Sequence, residues 1–86
     1  MEPTARLSEN EKRILQVVNR YGYTASVIIQ AKTGVTENVV QNSLDTLYRT
    51  GLVVRPYRGL VVSQEWIDKN PHKASELENN LKIRLV

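Results

Sequence analysis

From Thr33 to Val62 the chain reads TGVTENVVQNSLDTLYRTGLVVRPYRGLVV, and this stretch dictates a helix and a hairpin joined almost without connecting residues. Thr36 stands where a helix N-cap belongs, and its hydroxyl can accept from an unpaired amide of the first turn. Val35 and Val40 flank it at the two positions of a hydrophobic staple. Val40, Leu44 and Leu47 recur at i, i+4 and i+7, which gives the helix one apolar face. Gly51 ends the helix in the left-handed conformation that glycine alone adopts freely, with Leu52 set to fold back on Leu47. The outer face keeps Glu37, Asn38, Gln41, Asn42 and Asp45. A compact hairpin follows at once, turning at Pro56-Tyr57-Arg58-Gly59 and flanked by Arg55 and Arg58.

The segment before it predicts two more helices. Ser8-Glu9-Asn10-Glu11 is a capping box, and Ile14, Leu15 and Val18 follow on one face with Val17 beside them. Tyr21-Gly22 stops that helix. A very short strand at Tyr23 is expected against the hairpin. A second helix is expected from about Ala25 to Thr33 behind a Thr24 cap, with Ile28, Ile29 and Ala31 as its apolar contacts and Gly34 closing it. The runs Leu52-Val53-Val54 and Leu60-Val61-Val62 suit strands covered on one face and partly shielded on the other. Residues 1–6 are polar and read as a frayed end.

The turn Thr33-Gly34-Val35-Thr36, the core positions Val40, Leu44 and Leu47, the stop Gly51-Leu52-Val53 and the hairpin Val53 to Val62 resemble the winged helix-turn-helix family of small bacterial, archaeal and viral transcription regulators. With the first helix counted, the likeness covers roughly two thirds of the chain, and it lies in order and spacing rather than in a short motif. It implies an α+β, mainly α fold: a three-helix core with a β-hairpin wing over residues 6–63, followed by a C-terminal helical extension over 64–86. It also implies sequence-specific binding of double-stranded DNA. Thr36, Glu37, Asn38, Gln41 and Asn42 would then face the major groove, where an amide can offer a donor and an acceptor to adenine N6 and N7. Arg55, Tyr57 and Arg58 would lie on the backbone or in the minor groove, with Lys32 and Arg49 as further phosphate contacts. Glu37 departs from the family's basic or small polar preference, and with Asp45 it argues against DNA. Gln30 departs too, standing where a small residue is usual at the helix crossing. The alternatives are a solvated amide-rich face, a hairpin charged for solubility, and a Tyr57 that only covers the hairpin.

Charge supports a polyanionic partner modestly. Residues 1–60 hold eight Lys/Arg against five Asp/Glu, whereas residues 61–86 hold four of each, so the whole excess of +3 belongs to the first part. Cysteine is absent, which removes disulfide, thiolate and cysteine–zinc chemistry and fits a cytoplasmic protein. His72 stands alone without metal-ligand spacing, and no catalytic constellation or phosphate loop stands out. The expectations are therefore no enzyme, no cofactor, no metal, no small-molecule ligand and no membrane span. Eighty-six residues suffice for one core, and no separate sensing domain is expected. In the tail, Trp66-Ile67 should pack on the core and Asn70-Pro71 should start a helix. Ala74, Leu77, Leu81 and Leu85 then form a seam broken by Arg84. Ala74, Leu77 and Leu81 are read as a homodimer contact, because the preceding helices and hairpin already make a core; the alternative is that this helix packs on its own chain. Rival functions are a protein-interaction module and an RNA- or single-strand-binding domain.

Overall fold

A computed structural model describes residues 7–85, so the expectation for residues 1–6 lies outside the described residues. The fold is α+β and mainly helical: α1 (Glu9–Tyr21), β1 (Tyr23–Thr24), α2 (Ser26–Thr33), α3 (Glu37–Arg49), β2 (Val53–Val54), β3 (Val61–Ser63), α4 (Gln64–Lys69) and α5 (Pro71–Leu81). The three strands form an antiparallel sheet in the order β1-β3-β2. Tyr23 faces Val62 across one ladder, and Val54 faces Val62 across the other.

Local chemistry sets most of these boundaries. The capping box at α1 is complete: the Glu11 amide donates to Ser8 Oγ at 3.2 Å, and the Ser8 amide donates to Glu11 Oε1 at 3.0 Å. At the end of α3 the Leu52 amide reaches the Leu47 carbonyl at 2.9 Å and the Gly51 amide reaches Tyr48 at 3.1 Å, with Gly51 at φ 80. These two bonds form a Schellman motif, so the chain leaves α3 straight into β2.

Three local expectations are corrected. Thr36 is the N-cap of α3, but its hydroxyl makes no capping bond; the preceding turn is tied instead by Thr33 Oγ1, which donates to the Ile29 carbonyl at 2.7 Å and accepts from the Val35 amide at 3.3 Å. Ala25, not Thr24, caps α2, because Thr24 is committed to pairing with Val61 in the sheet. Of the apolar residues assigned to the α2 contact only Ile29 is buried; Ile28 is 41% exposed, and Ala31 is exposed too.

Strand β3 lies at the centre of the sheet and explains the unbroken apolar run. Side chains alternate across a strand, so Val61 enters one core with Ile14, Val18, Ile29, Val40, Leu44, Leu47 and Val53. Leu60 and Val62 enter a second with Ile67, Ala74, Leu77 and Leu85. Both faces are therefore covered, which goes beyond the partial shielding expected.

This second core takes in most of the tail's apolar seam. Ala74 and Leu77 are 4% and 9% exposed within the single chain, packed on the hairpin side of the sheet, and only Leu81 (40%) remains open. Leu85 does not extend a helical seam, because α5 ends at Leu81 and the chain reverses at Lys82, which takes φ 55. The Leu85 amide then donates to Glu78 Oε2 at 2.8 Å, and the side chain folds under the helix. Asn70 joins α4 to α5, but its side chain donates back to the Trp66 carbonyl at 3.0 Å instead of capping α5.

Candidate nucleic-acid interface

Burying Val40, Leu44 and Leu47 against α1 and α2 turns the opposite face of α3 outward. Glu37, Asn38, Asn42, Asp45 and Arg49 are exposed along it, and Gln41 is half-buried at its edge. Asn38, Asn42, Asp45 and Arg49 repeat at i, i+4, i+7 and i+11, so they form one ridge. Thr36 is exposed at the head of that ridge, with its hydroxyl free of the cap.

The hairpin is shorter in its ladder than the sequence suggests. Val54–Val62 is its outermost pair, and the residues between β2 and β3 form the loop. The loop turns where the Leu60 amide meets the Tyr57 carbonyl at 3.1 Å. Tyr57 and Arg58 are exposed on it.

Arg55 stands at the start of the hairpin loop, directly after β2. Its guanidinium lies on α3 itself: Nη1 donates to Asp45 Oδ1 at 2.6 Å, and Nη2 donates to Gln41 Oε1 at 2.8 Å. Gln41 and Asp45 are one turn apart, so a single planar fork spans both. The Arg55 side chain is 25% exposed and that of Asp45 51%, so the ion pair is solvated and contributes under about 1 kcal/mol. Its consequence is geometric, because it ties the root of the hairpin loop to the outer face of α3. It also neutralises Asp45, leaving Glu37 as the carboxylate without an ion pair among the described residues of that face.

A groove of about 440 Å³ opens between the start of α2, the first turns of α3 and the loop, lined by Ser26, Glu37, Gln41, Arg55, Arg58 and Gly59. A second, of about 340 Å³, lies on the other side of the arginines and is lined by Asp45, Tyr48, Arg55, Tyr57 and Arg58. Arg55 and Arg58 line both grooves, with Gln41 on one side of them and Tyr57 on the other. Lys32 and Arg49 line neither groove; they sit in the last turns of α2 and α3. Ser26 and Tyr48 were missed as neighbours of the site. Tyr48 shares the outer face of α3 with Gln41 seven residues earlier, a spacing visible in the sequence. Ser26 carried no such signal.

Among the described residues no helix is long and apolar enough to cross a membrane, and no group of three His, Cys, Asp or Glu side chains converges as metal ligands do. No family model, no curated protein and no solved structure matches this chain.

Proposed function

We propose that the chain is a winged-helix protein that binds double-stranded DNA sequence-specifically and acts as a small transcription regulator. Helix α3 enters the major groove, and the β2–β3 loop lies on the flanking backbone. The observation that carries this reading is the Arg55 bridge, which joins the amide-bearing face of α3 and the arginine-bearing loop into one continuous surface. Asn38 and Asn42 offer base-reading amides from the exposed ridge. Arg58, which makes no ion pair among the described residues, supplies the backbone contact. Tyr57, Lys32, Arg49 and the uncapped hydroxyl of Thr36 add donors around that footprint.

Duplex binding measured against salt tests the proposal. Neutralised phosphates release counterions, so log affinity should fall linearly with log salt. Arg58→Ala should weaken binding to all duplex sequences alike and flatten that slope by about one unit. Unchanged affinity and slope would remove the loop from the interface.

A second reading has an observation in its favour. Helix α2 exposes Val27 (64%) and Ile28 (41%), with Ala31 one turn further on, an apolar strip suited to a protein contact. If the chain serves only that contact, Val27→Ser should abolish partner capture while duplex binding stays weak and independent of sequence. Competition by single-stranded nucleic acid separates the remaining rival, a single-strand or RNA binder.

A further inference from the structure

We propose that Arg55 and Asp45 position Gln41 to read guanine at one base position; this inference rests on the DNA-binding reading above. A guanidinium carries donors only. The Gln41 carboxamide must therefore turn its oxygen towards Arg55 Nη2 and its NH₂ away from it, which settles an orientation otherwise open to a flip. Asp45 holds the same guanidinium through Nη1 from the next turn of α3, so the fork cannot swing off without breaking two contacts.

The clamp changes what a glutamine can read. A free glutamine pairs one donor and one acceptor with adenine N7 and N6. Here the oxygen already accepts from a cation, and the second lone pair lies beside that positive charge. An incoming amino group, from adenine N6 or cytosine N4, would bring its donor dipole against the guanidinium. An incoming acceptor meets the Gln41 NH₂ and is drawn by the arginine as well. Guanine alone presents two acceptors, O6 and N7, and no donor on its major-groove edge; thymine presents one acceptor and a methyl group. The Gln41–Arg55 surface is donor-rich, so guanine is its complement. Asp45 touches no base in this arrangement and is a positioning residue.

The test is selection of binding sites from a random duplex library, with the full chain and with Gln41→Ala, Asp45→Ala and Gln41→Glu, each checked for folding by thermal melt. The intact chain should select guanine at one position, and replacing that base by adenine should weaken binding roughly tenfold. Substitution of 7-deazaguanine, which lacks N7, should also weaken it. Gln41→Ala should erase the preference at that position alone. Asp45→Ala should blur preference at the same position while raising affinity for scrambled duplexes, since a negative charge is lost. Gln41→Glu should shift the preference towards cytosine, whose N4 donates to a carboxylate. Guanine kept by Gln41→Ala or Gln41→Glu, or preference left intact by Asp45→Ala, overturns the inference while the DNA-binding reading stands. A folded chain that binds no duplex at low salt overturns both.

Discussion

Gly22 and Ser63 sit where elements meet, and the Ser63 amide donates to the Gly22 carbonyl at 2.7 Å. Gly22 takes φ 82, and a Cβ built on it would lie 2.6 Å from Cδ1 of Trp66. That indole also meets the Tyr23 ring edge-on at 5.5 Å. Gly22→Ala should therefore cost about 2–4 kcal/mol through backbone strain and overpacking. Trp66 is the chain's only tryptophan, so its fluorescence should shift in the folded variant; an unshifted spectrum with unchanged stability would mean the ring is not in contact. Ser63 is fully buried, donates to Asn19 Oδ1 at 2.5 Å and accepts the Trp66 amide at 3.1 Å, which makes it both a crosslink to α1 and the cap of α4. Ser63→Ala should lower stability by about 1–2 kcal/mol, seen as a lower denaturation midpoint at constant m. The stop at Gly22 was readable in the sequence, but its Trp66 neighbour, forty-four residues away, was not.

The elements themselves were legible, down to the two-residue strand at Tyr23, but the buried face could be read only where the element is long enough to show a period. Helices α1 and α3 each span 13 residues with a cap and a glycine stop, and their buried faces fall where the spacing puts them. Helix α2 has eight residues, and its contact with the core narrows to Ile29 alone, so Ile28 and Ala31 were assigned to a face that water covers. Three apolar neighbours within two turns fit several helix faces equally well. In the candidate site the sequence placed Gln41, Asp45 and Arg55 correctly on their elements but could not show that they touch, because pairing across a loop depends on its path. The end of α5 shows the same limit. Lys82 takes φ 55 at a position where glycine is usual, and the Ile83 amide closes on the Glu78 carbonyl at 3.0 Å behind it. Lys82→Gly should relieve left-handed strain of about 1–2 kcal/mol against a smaller entropic loss, for a net gain of up to about 1 kcal/mol. A melting temperature unchanged or lowered in that variant would show that the reversal at Lys82 is unstrained.

The central strand decides how the whole chain must be assembled. Leu60-Val61-Val62 sends Val61 to the helical core and Leu60 and Val62 to the opposite face. A sheet apolar on both faces needs a cover on both, and α4, α5 and the returning Leu85 supply the second one. Periodic leucines in the tail could not distinguish this use from a seam between two copies, since both bury the same spacing. Two residues of one helix give the means to separate them. Leu77 is 9% exposed inside the second core, whereas Leu81, one turn later, is 40% exposed. Leu77→Ala should cost about 2–4 kcal/mol by opening a cavity and should do so at any protein concentration. Leu81→Ser should leave stability within about 0.5 kcal/mol of the parent, as surface changes usually do. Sedimentation of the parent and of Leu81→Ser should agree, because one open leucine is too little surface for a stable dimer. Truncation after Asn70 should uncover Leu60, Val62 and Ile67 and yield an unfolded or aggregating chain. A truncated chain that melts cooperatively near the parent's temperature would return α5 to the role of a separable dimer arm.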